Sequence, residues 1–86
     1  MTEKITVKLF ASLMRYLPVN NTKSHGFDHA IHADTTVGQV IDALQLPREG
    51  LHIVLLNGVY LGPELRESTP LNDADVLSFW PAVAGG

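Results

Sequence analysis

A single capped helix among strand-like segments limits this 86-residue chain to a sheet with one main helix against it. The helix announces itself at Thr36-Val37-Gly38-Gln39, where a threonine N-cap and a glutamine three residues later can each satisfy an orphan N–H of the other's backbone. Behind this capping box Val37, Val40, Ile41 and Leu44 recur at helical spacing, and Pro47 is expected to end the helix. A chain of this length buries only roughly 60 to 65% of the surface its unfolded form exposes, so it forms one small core with little room for a deep active site.

The flanking segments carry the two-residue period of strands. Ile5, Val7 and Leu9 alternate with Thr6 and Lys8, which predicts a first strand. Ala11 to Leu17 has apolar residues at mixed spacing and stops at Pro18, predicting one or two irregular helical turns, and Asn20 to Ser24 is a polar loop. A second strand is expected from Phe27 to Ala33, paired with the first. Leu51 to Leu56 is a short, nearly unbroken apolar run, and the Asn57-Gly58 pair behind it predicts a type I′ hairpin into Val59-Tyr60-Leu61. Gly62 to Asp75, with Pro63 and Pro70, reads as a long surface connection, and Val76 to Trp80 as a last short strand. Strand, strand, helix, strand, short strand, loop, strand is the order of an α+β domain, and the β-grasp, a mixed sheet with one main helix packed across it, is the natural candidate. Residues 1–86 are expected to form one domain, with 81–86 as an extended tail. Ile53-Val54-Leu55-Leu56 gives apolar side chains to both sheet faces, yet one helix covers only one. The other face is expected to meet a loop or a partner, the alternative being hydrophobics scattered on an ordinary surface.

Composition removes several kinds of function. A formal net charge of -3 without a Lys/Arg cluster argues against nucleic-acid binding, which depends on neutralising phosphates. No apolar run approaches the roughly 20 residues needed to span a bilayer, and Met1-Thr2-Glu3-Lys4 leads into a strand pattern, so a soluble cytoplasmic protein is expected. The absence of cysteine excludes disulfides, thiolate nucleophiles and sulfur-ligated metals. His25, His29 and His32 fall close together, with His52 further on, but His29 and His32 would point to opposite faces of a regular strand and no acidic residue has ligand spacing, so no metal site is expected. No serine has a matching His and Asp, the nine carboxylates form no obvious pair, and no glycine belongs to a phosphate-binding loop. Any nucleotide would be bound by another protein.

The chain closes on Trp80-Pro81-Ala82-Val83-Ala84-Gly85-Gly86. Glycine has no Cβ, so a Gly-Gly end can thread a narrow channel and present an unhindered carboxylate to an attacking group. That suits a chain whose C-terminus is itself chemically modified, whereas the bland alternative is a frayed end or a cloning remnant.

Along nearly its whole length the chain resembles the MoaD/ThiS family of sulfur-carrier proteins, relatives of ubiquitin. The matching pieces are Lys8-Leu9-Phe10-Ala11-Ser12-Leu13, Thr36-Val37-Gly38-Gln39-Val40-Ile41, Leu46-Pro47-Arg48-Glu49, Ile53-Val54-Leu55-Leu56-Asn57-Gly58, Pro70-Leu71-Asn72-Asp73-Ala74-Asp75-Val76 and Phe79 to Gly86, in the family's order. Three positions depart from the pattern: Met14-Arg15 stands where Arg-Glu is frequent, Asp73-Ala74-Asp75 replaces Asp-Gly-Asp, and Pro81-Ala82 replaces Pro-Pro. Ala74 should be slightly strained if that turn position is left-handed.

The resemblance implies a carrier or small synthase subunit that is not itself an enzyme. It implies that an ATP-dependent activating enzyme adenylates Gly86, that a sulfur donor protein converts it to a thiocarboxylate, and that a large synthase subunit receives the loaded tail. No cofactor is bound by this chain, ATP being used by the partner. Gly86 is the reactive site, Gly85 the residue whose missing side chain admits the tail, and Ala84, Val83, Pro81 and Trp80 the contacts that guide it; for Trp80 the alternative is a plain sheet-face aromatic. The proline in the tail is closer to molybdopterin-type carriers than to thiamine-type ones. A ubiquitin-like modifier joined to lysines and an interaction-only domain with an idle tail remain alternatives.

Overall fold

The computed structural model describes residues 3–18 and 26–81. Five strands form one sheet: β1 (Glu3–Leu9), β2 (Gly26–Ile31), β3 (Leu51–Leu56), β4 (Val59–Tyr60) and β5 (Val76–Pro81), in the order β2-β1-β5-β3-β4. Only β1 and β5 run parallel; β1–β2, β3–β4 and β3–β5 are antiparallel. Helix α1 (Val37–Ala43) lies between the two halves of the chain, and short 3-10 turns occupy Ala11–Tyr16 and Arg48–Gly50. This is the β-grasp expected from the order of elements.

The capping box forms as read. The Gln39 N–H donates to the Thr36 hydroxyl at 3.3 Å, and the Thr36 N–H donates to the Gln39 side-chain oxygen at 3.0 Å. The helix stops at Ala43, before Pro47, because Gln45 takes a left-handed conformation (φ 58°) and the Leu46 N–H closes onto the Ile41 carbonyl at 3.1 Å. That six-to-one closure is the Schellman ending, normally built on glycine. Val37, Val40 and Ile41 are buried against Ile5, Val7 and Leu9 of β1, Phe27 and Ile31 of β2, Val54 of β3, and Leu77 and Phe79 of β5.

The Asn57-Gly58 turn has φ of 52° and 84°, as a type I′ hairpin requires. Asn57 does more than turn: its side-chain oxygen accepts from the Val76 N–H at 2.8 Å and its amide donates to Asp75 at 2.9 Å, tying the hairpin to the start of β5. Ala74 is left-handed at φ 72°, so the suspected strain exists.

Two expectations need correction. The second strand ends at Ile31 rather than Ala33, because the His32 N–H bonds the Thr35 hydroxyl at 2.9 Å and begins a turn. Gly62 to Asp75 is not a plain surface connection. It contains helix α2 (Pro63–Arg66) and contributes Leu71 and Arg66 to the interior. It is also stitched to α1, with the Val37 N–H donating to Thr69 at 3.1 Å and the Leu71 N–H to Thr35 at 2.8 Å. Arg66, only 6% exposed, donates to the carbonyls of Leu61 (3.2 Å), just after β4, and Leu51 (3.5 Å), at the start of β3, linking the two. Nearby, Arg48 bonds Asp42, Glu67 and the Gly38 carbonyl, which joins α1 to α2; the bonds to Asp42 and then Glu67 raise the Arg48 pKa. A Cβ at Gly38 would meet the Glu67 carboxylate, the exposed end of a flexible side chain, which would have to shift.

Candidate functional site: the open sheet face and the root of the tail

Side chains alternate across a strand, so the residues not facing α1 collect on the opposite face of the sheet. Register places Thr6 beside Val76, Lys8 beside Ser78, Ser78 beside Leu55, Leu55 beside Tyr60, and Trp80 beside Ile53. Among the described residues no helix covers this face. Val76, Ile53, Leu55 and Trp80 are half-buried by one another, and Tyr60 is 56% exposed at the edge.

The centre of the patch is an aromatic pair. Phe10 continues the parallel ladder beyond β1, its N–H donating to the Phe79 carbonyl at 3.2 Å. That bond sets its ring against Trp80, with centroids 4.3 Å apart and planes within 2°. Ala11 then turns the chain away in a left-handed conformation (φ 52°), an uncommon position for alanine. The chain accepts a strained residue at the point where Phe10 meets Trp80.

Pro81 ends β5 opposite Leu51, so the strand runs one residue further than Trp80. Between Leu51 and Ile53 the register slips, and His52 is the extra residue of a bulge beside Trp80 and Pro81. Bulges re-aim a strand end. Of the predicted site residues, Trp80 therefore lies on the open face and Pro81 follows it at the strand end, opposite the buried Leu51, with Trp80 both a sheet-face aromatic and the last ring of the strand. Val83, Ala84, Gly85 and Gly86 lie outside the described residues. Phe10 was missing from the predicted set. Its signal was its parity, two residues after Lys8 on the outer face, but its neighbour Trp80 is 70 positions away in sequence.

Among the described residues no group of three His, Cys, Asp or Glu side chains could hold a metal. His29 pairs with Ile5 on the helix side of β2, and burial lowers its pKa below 6.5. His25 lies outside the described residues. Among the described residues no helix is long and apolar enough to cross a membrane.

A family model described as the ThiS family matches residues 7–86, nearly the whole chain. The chain belongs to the ThiS family. Members are small non-catalytic carriers, so this chain is a sulfur-carrier or ubiquitin-like protein of ThiS/MoaD type, not an enzyme. A search of curated proteins returns no match. Among solved structures, the ThiS-family chain is similar to the HVO 2177 protein of Haloferax volcanii at 25% identity, with a TM-score of 0.75 over 99% of this chain and 88% of that one. It is similar to SAMP1 from Haloferax volcanii at 22% identity and a TM-score of 0.67, covering 96% of this chain and 99% of that one. A third similar structure belongs to the complex of subunits 1 and 2 of the molybdopterin-converting factor from Helicobacter pylori, at 24% identity and a TM-score of 0.57, covering 96% and 99%. The last two speak to the fold.

Proposed function

We propose that this ThiS-family chain is a cytoplasmic sulfur carrier for molybdopterin biosynthesis, with the Gly86 carboxylate as its reactive group. An ATP-dependent activating enzyme joins that carboxylate to AMP, which converts a poor electrophile into a mixed anhydride with a good leaving group. Sulfur from a donor protein displaces AMP and leaves a thiocarboxylate, which a large synthase subunit then consumes. The chain supplies no acid or base, and the nucleotide is held by the activating enzyme.

The observation that carries this reading is the position of Trp80 and Pro81: Trp80 stands at the rim of an uncovered apolar face and Pro81, the last residue of β5, follows it next to the bulge at His52. A partner seated on that face receives the tail at its own surface. The five residues after Pro81 reach at most about 17 Å, enough to enter a buried site while the sheet stays outside. The preference for molybdopterin rests on the proline at the tail root, and the likeness to one component of a molybdopterin-converting factor complex agrees with it.

Intact mass of the untagged protein after incubation with ATP, its own activating enzyme and a sulfur donor tests the reading. One oxygen exchanged for sulfur at Gly86 is the expected result. A bond from Gly86 to a lysine of another protein would identify a modifier instead, and an unchanged mass would leave the tail idle. Replacing Gly85 by a bulky residue should block loading without lowering the melting temperature, since only the channel of the partner is affected.

A further inference from the structure

A sheet of five strands has two edges, and this one engages only one of them. Beyond β3 the partner strand β4 is two residues long, but the edge past it is taken up: the Leu61 N–H donates to the Val54 carbonyl at 2.8 Å, and Arg66 donates to the Leu51 carbonyl. The other edge is β2, and its outward groups follow from parity. The Thr6 N–H bonds Asp75, the Phe10 N–H bonds Phe79 and the Lys4 carbonyl takes the Ala74 N–H, so even-numbered residues here face β5 and odd ones face β2. Glu3, Ile5 and Val7 stand opposite Ile31, His29 and Phe27, which leaves Gly26, Asp28 and Ala30 with N–H and C=O directed outward. Among the described residues the backbone groups of Asp28 and Ala30 have no partner, and both residues are exposed.

Exposed edges are ordinarily guarded by lysine, proline or a bulge. The sequence of β2, Gly-Phe-Asp-His-Ala-Ile, has neither lysine nor proline, and its register against β1 is unbroken. Its one carboxylate, on Asp28, lies on the open face and is already paired with Lys4 at 3.4 Å. Burial holds His29 below its ordinary pKa, so at neutral pH the strand carries no second charge.

We propose that β2 is a self-association edge, at which a second copy of this chain adds its own β2 antiparallel and joins two five-stranded sheets into one continuous sheet. Outward groups must meet outward groups, so only even-numbered residues can be opposed in hydrogen-bonded pairs, which leaves few registers. Two of them overlap most of β2, pairing residues 26–30 or residues 27–31 of each copy. The first sets Asp28 against the second copy's Asp28, a like-charge pair at its centre. The second sets Asp28 against the second copy's Ala30 and avoids that repulsion. It also places Phe27 against Ile31 and His29 against His29 on the helix side, and brings the second copy's Asp28 beside Ala30, in the row of Lys4. Lysine and aspartate of the two copies then alternate across the joint, so the edge is complementary to itself. β5 lies two strands away, and Pro81 is clear of the joint.

Sedimentation equilibrium of the full-length, untagged protein from micromolar to millimolar concentration is the test. A joint of one strand pair is small, so the average mass should rise gradually from that of one chain toward that of two. Ala30→Pro should abolish the rise, since proline is tolerated where a strand N–H faces outward but cannot donate across the joint; its melting temperature reports whether it folds. The chain contains no cysteine, so single substitutions read the register through one disulfide. Under mild oxidation His29→Cys should cross-link to a dimer faster than Asp28→Cys or Ala30→Cys, because position 29 faces its own copy at cross-strand distance. This series decides between the outcomes if the proline variant does not fold. The mass of one chain at every concentration overturns the proposal. So does a dimer that survives in folded Ala30→Pro, or cross-linking that is fastest at position 28 or 30.

Discussion

Neighbouring residues of β1 and β5 serve opposite ends. Val7, Leu9, Leu77 and Phe79 point toward α1 and are fully buried; Lys8, Phe10 and Trp80, with the buried Ser78 among them, lie on the opposite face. The inner set is aliphatic except for phenylalanine and makes the core, where stabilisation scales with apolar area removed from water. The outer set is aromatic, polar and charged, so it keeps large surfaces available at a modest cost to the free protein. A buried core residue and a face open to a partner are thus one strand position apart, with the same backbone hydrogen bonds supporting both.

Variants can break this comparison directly. The largest effect should come from Phe79→Ala, which opens a cavity in the core and is expected to lower unfolding free energy by about 3–5 kcal/mol in urea denaturation. Next comes its outward neighbour: Trp80→Ala should cost only about 1–2 kcal/mol of stability while reducing sulfur loading by roughly tenfold or more, as an aromatic anchor would. Equal losses of stability in the two variants would erase the distinction between faces. Smaller gains are expected where strain can be removed. Ala74→Gly and Gln45→Gly each relieve a left-handed residue and should raise stability by about 0.5–1 kcal/mol, reduced by the added freedom of the unfolded chain.

The smallest effect concerns pH. Burial lowers the His29 pKa, so the unfolded chain binds that proton more readily than the folded one. The sign follows: stability is complete above the ordinary value of 6.5 and declines as pH falls through the lower folded value. His29→Gln should flatten the acid slope of the denaturation midpoint below neutrality, and an unchanged slope would assign the dependence to carboxylates.

Much of the fold was legible because its signals are local. Thr36 with Gln39, Asn57 with Gly58, and the alternation of Ile5, Val7 and Leu9 each define a structure within a few residues. Even the strain at Ala74 could be read, since a turn that favours glycine held alanine. Helix α2 could not, because Pro63 to Arg66 is a single turn and shows no helical period. The early stop of α1 was hidden for a similar reason: Gln45 is not a residue whose presence advertises a left-handed cap. The site divided the same way. Trp80 and Pro81 stood out by type and by closeness to Gly-Gly, whereas Phe10 comes to lie against Trp80 only through the parallel pairing of the first and last strands, a long-range registration that no local pattern encodes.

That parallel pairing has a practical corollary. Because β1 and β5 run the same way, with Thr6 level with Val76, Glu3 enters at one end of the sheet and Pro81 stands at the other, about 26 Å away at the usual rise of a strand. A fluorophore, surface tether or fusion partner attached ahead of Glu3 would sit at the far pole from Pro81. The molecule can be held by one end of its sheet and presented by the other, with the aromatic pair and Pro81 left clear.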